Sequence, residues 1–166
     1  MKTKMILNRI VLMIAVMIVC VTFNSCKKDI PPADQPYDLD VPLVTTGKIA
    51  KVHGFIKFRQ DPDTARIVDL DTWVSDLLPN HAYQLQRAVN PITDPTGCSS
   101  TAWLTLGLGL VPQSIHTDKK GNGQADLWRD VTSVARGSQF HIHFQIIDSV
   151  TQTPVLESDC YEYTVR

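Results

Sequence analysis

The chain carries no G-x-S-x-G nucleophile elbow, no glycine-rich phosphate loop and no H-E-x-x-H motif. The hydrolase, nucleotide-binding and metalloprotease chemistries that rest on those spacings therefore have no foothold in it. No C-x-x-C pair is present either, which removes the thiol-exchange motif. Positive charge is not in excess: 16 Lys and Arg face 17 Asp and Glu, for a formal net charge of −1, a poor balance for binding nucleic acid. Internal repeats and low-complexity tracts are missing. Carboxylates such as Asp69, Asp71 and Asp76 suit a solvated strand edge or turn as well as they suit catalysis, and the separation that would make two of them a glycosidase pair is not written in linear sequence. Binding or structural roles are therefore expected ahead of enzymatic ones.

What the chain does have begins at its N-terminus. Lys2, Lys4 and Arg9 precede an unbroken apolar run from Ile10 to Val21. Twelve residues are too few to span a bilayer as a helix but match the core of an export signal. Ser25 is small, as a cleavage site requires, and Cys26 opens the stretch CKKDIPP. The stretch resembles the start of the CKKD-type lipoproteins of Gram-negative bacteria, although Phe23 and Asn24 depart from the usual lipobox. That resemblance implies residues 1–25 as a signal peptide, Cys26 as a lipidated first residue, and a home at the bacterial outer membrane or cell surface. Cys20 follows bulky Val19 and is the poorer candidate. A non-lipidated secretory signal and an uncleaved anchor are the alternatives. Acyl chains contribute about 0.8 kcal/mol per buried CH₂, so no basic amphipathic helix is needed for attachment. Loss of residues 1–25 removes three positive charges and no acid, moving the net charge from −1 to −4.

Residues 26–46 contain Pro31, Pro32, Pro36 and Pro42 among acids and read as an extended, semi-rigid stalk. Residues 47–166 are one domain's length. With Cys20 removed and Cys26 acylated, Cys98 and Cys160 are the only thiols left in an oxidising compartment, where pairing is expected. The competing reading is a reactive or metal-bound thiol.

Alternation dominates the domain. Ala50, Val52, Gly54, Ile56 and Phe58 alternate with Lys51, His53 and Lys57. Val68, Leu70 and Val74 keep the same period, as do Tyr83 and Leu85 against Gln84 and Gln86. Leu104, Leu106, Leu108 and Leu110 read as one face of a further strand. Ala125 to Val131 follows, then Phe140, Ile142, Phe144 and Ile146 opposite His141, His143 and Gln145, and last Cys160 to Val165. Such period-two patterning marks half-buried strands. The expected fold is all-β, an antiparallel immunoglobulin-like or Greek-key sandwich of about seven or eight strands with one disulfide.

Two motifs invite sharper chemistry. TDKKGNGQADLWR has the outline of a calcium loop, but counting from Asp118 places Lys120 third and Arg129 twelfth, where oxygen ligands are required. A turn in which Gly121, Asn122 and Gly123 take positive φ is the better reading. In FHIHF, His141 and His143 share a strand face as paired imidazole ligands do. A copper or zinc site needs at least one more ligand from His53, His81 or His116, and alternation alone accounts for the pair. The expectation is no cofactor, with copper or zinc at His141 and His143 as the alternative. Trp73, Trp103 and Trp128 could stack on a carbohydrate or fill a protein partner's pocket, or simply pack in the core.

From Leu78, LPNHAYQLQRAVNPITDPTGCSS resembles the copper/zinc superoxide dismutase segment LxPGxHGFHVHxxGDxxxGCxS. ADLWRDVTSVARGSQFHIHF resembles that family's later turn and GRTLVVHE strand. The resemblance implies a β-sandwich and a bridge from Cys98 to a cysteine of the last strand, Cys160. It does not carry the activity across. Gln84, Gln86 and Leu104 stand at metal-ligand positions, only His143 falls on a ligand histidine, and Glu157 replaces the catalytic arginine. The combined expectation is a lipid-anchored, non-catalytic binding or structural module of unknown ligand, with a degenerate superoxide dismutase-like metal protein as the alternative.

Overall fold

The structure, a computed structural model, describes residues 35, 37–46 and 51–166; the readings placed on the signal segment and Cys26 lie outside the described residues. Among these there are twelve strands and no helix, and so no helix long and apolar enough to cross a membrane. Four strands come first: β1 (Asp38–Thr45), β2 (Val52–Arg59), β3 (Ile67–Val74) and β4 (Ala82–Pro91). Four two-residue strands follow, β5 (Leu104–Thr105), β6 (Gly107–Leu108), β7 (Val111–Pro112) and β8 (Ile115–His116). The rest are β9 (Gly123–Asp130), β10 (Gln139–Asp148), β11 (Pro154–Glu157) and β12 (Tyr161–Thr164).

All twelve belong to one sheet of order β5-β4-β10-β11-β1-β2-β3-β9-β6-β7, with β12 also on β10 and β8 on β4. The sheet curls until its two ends are joined by a single stretch of chain. Leu104 and Thr105 pair with Arg87 and Gln86 of β4, while Leu108 meets Trp128 of β9. Between them the Leu106 N–H donates to the Leu85 carbonyl (2.8 Å) and the Leu106 carbonyl accepts from Gln113 N–H (3.2 Å). Further along, β8 pairs with Ala82 and Tyr83, and Thr117 bridges Gly123. Residues 104–117 thus stitch β4 to β9, and the result is close to a barrel. Closure removes the unpaired edges that β4 and β9 would otherwise expose.

The all-β expectation and the bridge hold; the strand count does not, since the chain makes twelve strands rather than seven or eight. The extra ones are β1, β11 and the two-residue stitches, the last too short for periodicity to mark. Every pairing is antiparallel except β6 with β9, so the sheet is mixed. The leucine series is the clearest departure from the expected strands. Leu106 is buried, but Leu108 and Leu110 are 44% and 74% exposed, because the chain turns at Gly109 into the β6–β7 hairpin instead of running straight. Val52 is likewise exposed where the period placed it inside.

The segment Asp38–Thr45, assigned by composition to the stalk, is β1, set between β11 and β2 with Leu39, Val41 and Leu43 buried. Its proline is tolerated because β11 meets β1 only at Val44 and Thr45, leaving Pro42 beside an unpaired flank where a missing N–H breaks no ladder. Opposite Leu43 stands Gly54. A Cβ there would come within 3.0 Å of Leu43 Cδ1 and 3.1 Å of Leu156 Cδ1, so glycine lets β1 and β11 side chains cross the β2 backbone.

The Asp118–Gly123 turn is confirmed as a turn, with one correction. Gly121 alone of the three residues adopts positive φ (81°). Its Cβ would sit 2.1 Å from the Leu77 carbonyl oxygen, so glycine is required there on two counts. Asp118 Oδ1 accepts from the Lys120 and Asn122 amides at 2.7 and 3.0 Å.

The Cys98–Cys160 disulfide, with Cα atoms 5.6 Å apart and its ends 62 positions apart in sequence, ties the loop after β4 to the residue preceding β12. Cys98→Ala is expected to lower stability by about 4 kcal/mol, the chain-entropy value for a loop of this length. Thermal melts with and without reductant check this, since the variant should match the reduced parent. Gly54→Val should cost about 1–3 kcal/mol through overpacking against Leu43 and Leu156, read as a lower urea midpoint at unchanged slope.

Candidate functional site

Alternation on β4 sends Tyr83, Leu85, Arg87 and Val89 to the interior, and on β9 it sends Leu127 and Arg129 there. Two of these six are arginines. Both border a cavity of about 90 Å³ whose walls include Phe58, Val89, Phe140, Ile142, Phe144 and Tyr163. Phe58 packs edge-on against Tyr163 (centroids 4.9 Å) and Phe144 (6.2 Å), so the wall is stiff and aromatic.

Arg87 and Arg129 flank the closing seam where its stitches end. Arg87 lies opposite Leu104, and Arg129 follows the residue that pairs with Leu108. Arg129 Nη1 donates to the Gly109 carbonyl at 3.2 Å. Burial, and then the Arg129 charge, pull the Arg87 guanidinium below its ordinary value. Among the described residues no Asp or Glu lines the cavity. A guanidinium does not release its proton under such pressure, yet the exposed lining of the cavity is almost wholly apolar, so the side-chain stems rather than the guanidinium heads line it.

One end of this wall is tied down by the C-terminus. Tyr163 Oη donates to Gln60 Oε1 (2.9 Å), the same oxygen accepts the Arg166 amide (2.8 Å), and the Arg166 side chain donates to the Gln60 carbonyl. Burial pushes the Tyr163 phenol well above its ordinary value, so it stays a neutral donor. Gln60 is fully buried, and its Nε2 has no partner among the described residues.

The sequence candidates sit elsewhere. His141 and His143 project from β10 on the face away from the interior, opposite Asn90 and Ala88. His143 stacks on Trp103 (4.6 Å) and its Nε2 is 3.1 Å from the Ser100 carbonyl; a carbonyl only accepts, so Nε2 carries the proton. Gln86 is bonded to Thr105 and Gln145. The other histidines do not converge on the pair: His81 Nε2 bonds Asp148 (2.8 Å), His53 approaches Asp76 (3.2 Å), and His116 lies on β8. Among the described residues no three His, Cys, Asp or Glu side chains come together as a metal would need. Trp103 is half-buried, whereas Trp73 and Trp128 lie on the outer face at 36% and 37% exposure.

Sequence reasoning missed Arg87 and Arg129. The available signal was their place in phase with Tyr83, Leu85 and Leu127, on the buried side of two alternating strands. A basic residue on an apolar row is the anomaly worth following.

Comparison of the chain with protein-family models, with curated proteins and with solved structures found no match. The class of protein therefore rests on what has just been described, a disulfide-braced, all-β domain of one curled sheet with an arginine-bearing interior cavity.

Four aspartates in loops or at strand ends share one device. Asp94 is held by Thr96, Asp118 by the Asn122 amide, Asp130 by Thr132, and Asp148 by the Thr151 and Val150 amides with His81 beyond; each lies below the usual carboxylate range. A depressed value supplies stability that is complete above the unfolded value of about 3.9 and is lost as pH falls through the folded one. Asp69 runs the other way, raised by burial and then by Asp71, so its protonation relieves a cost over the same fall. Four against one, urea stability should decline steadily below about pH 4, and Asp148→Asn should flatten that decline.

Proposed function

We propose that the chain is a lipoprotein of the bacterial outer membrane or cell surface, exported by residues 1–25, acylated at Cys26, and carrying a domain that binds a ligand without transforming it. The observation that carries the binding half is the interior cavity with Arg87 and Arg129 on its rim. The exposed lining of that cavity is almost wholly apolar, and the Tyr163 phenol at its wall is pushed upward by burial and hydrogen-bonded away to Gln60. General acid–base chemistry asks instead for a group poised near working pH, so this site is suited to holding a molecule rather than converting it. The anchoring half rests on the basic start, the short apolar run and the CKKD stretch. Kinship with the copper/zinc superoxide dismutase sandwich draws support from the Cys98–Cys160 bridge. It carries no metal chemistry here, because Gln84, Gln86 and Leu104 occupy ligand positions with weak or no donors.

Expression of the full chain in a Gram-negative host tests the anchoring. Labelled palmitate should enter the protein and intact mass should give a mature chain starting at acylated Cys26, with both signals lost in Cys26→Ala. A free thiol at that position, or a different first residue, refutes it.

A further inference from the structure

We propose that Trp128 and the β6–β7 hairpin form a lipid-contacting corner, which enters the surface of the bilayer to which Cys26 tethers the domain. The inference rests on the lipid-anchor reading above and goes beyond it by naming the face that meets the membrane.

The first support is a contiguous apolar patch. Leu108 pairs with Trp128 on one side and with Val111 on the other, and residues directly opposite in a ladder share a face. All three are exposed, as is Leu110 in the turn. Gly109 lies against the Trp128 ring, so hairpin and indole make one surface. A cluster of leucine, valine and tryptophan left to water marks an interaction site, and tryptophan is enriched where hydrocarbon meets headgroups.

The second is the place where the chain leaves the domain. Asp38 pairs with Arg59, Arg59 with Asp69 and Asp69 with Trp128, so the first residue of β1 and the patch lie on one line across the sheet. β6 runs parallel to β9, which aims the turn of the hairpin toward that same end. Gln35 is held there too, bridged to Asp38, with Arg166 over the Tyr37 ring. From Gln35 back to Cys26 is nine positions, a reach of about 30 Å at full extension. Bringing the opposite end of the sheet to the bilayer would oblige the chain to run back past the eight residues of β1, about 27 Å. Little would remain to reach the lipid, whereas the hairpin end needs none of that length.

The third is charge. Arg129 and Asp130 follow Trp128, and the loop between β2 and β3 sets Asp61 and Asp63 near Arg66. Both signs occur beside the patch, so apolar area rather than attraction to anionic lipid drives the contact. The tether makes that contact intramolecular, and a patch too weak to hold a free protein then suffices to orient an anchored one.

The test uses the full acylated protein in phosphatidylcholine vesicles, with and without bromine on the acyl chains, and reads tryptophan emission. Brominated lipid should quench the parent, indifferently to salt. Trp128→Phe should remove that quenching, because Trp73 pairs with Gln124, four residues further along β9, and Trp103 is stacked on His143. Leu110→Asp should cut the quenching at least threefold at unchanged Tm, and Val111→Asp gives a second reading should that variant not fold. Val150→Asp, which alters an equally exposed apolar residue in the β10–β11 turn at the opposite end, should leave it unchanged. An acylated protein whose Trp128 is not quenched overturns the proposal and leaves the anchor standing. An equal loss in Val150→Asp overturns the choice of face. A dimer in detergent that Leu110→Asp dissociates overturns the lipid assignment in favour of a second copy of the chain. Absence of palmitate at Cys26 overturns the anchor and this proposal together.

Discussion

The structure depends on the closure of one sheet by the fourteen residues from Leu104 to Thr117. Without those stitches β4 and β9 would present two bare edges to water and the apolar rows behind them would lie open. The constraint is tight at its centre. A Cβ on Gly107 would lie 2.0 Å from the Val111 carbonyl oxygen, and Gly109, at φ 66°, rests on the Trp128 ring with 2.7 Å to an added Cβ. The hairpin therefore folds back on itself and against β9 only because both positions lack a side chain. Closure also turns the inner rows of β4 and β9, Arg87 and Arg129 among them, into the wall of a cavity lined by aromatic and aliphatic side chains.

A few buried polar atoms pull against the rest of the domain. Tyr83, Leu85, Ile56, Phe144, Ile146 and Leu156 are buried almost completely, Thr72 satisfies its hydroxyl on the Leu70 carbonyl, and the disulfide restrains the unfolded chain. Against this stand buried polar atoms with no partner among the described residues, the Gln60 amide nitrogen and Arg66 Nε among them. A fold stable by about 5–15 kcal/mol can carry such a local deficit, and deficits of this kind gather where a protein meets its ligand. The C-terminal clasp fits the same picture, since Gln60, Tyr163 and Arg166 brace the wall that Tyr163 contributes to the cavity.

Much of the scaffold was legible because period-two alternation is a one-dimensional record of a two-sided sheet. Ile56 and Phe58, Val68 and Leu70, Tyr83 and Leu85, and Ile142, Phe144 and Ile146 are all buried, each in the phase its neighbours dictated. Where the pattern misled, a local feature outweighed it. Four prolines in and around residues 31–42 disguised β1, whose Leu39, Val41 and Leu43 carry the same alternation. Glycines between the leucines of 104–110 broke what looked like one strand into stitches and a hairpin. The paired histidines were read correctly as lying on one strand face, but that face looks away from the cavity.

By itself the sequence determined the all-β character, the bridge between Cys98 and Cys160, the Asp118 turn and most of the buried rows, because propensity, period and thiol count are properties of neighbouring or countable residues. Only the tertiary structure decided that twelve strands form one curled sheet, that β1 belongs to it, and that Arg87 and Arg129 border one cavity. They are 42 positions apart in the chain, and no local signal relates two residues that meet only when a sheet closes.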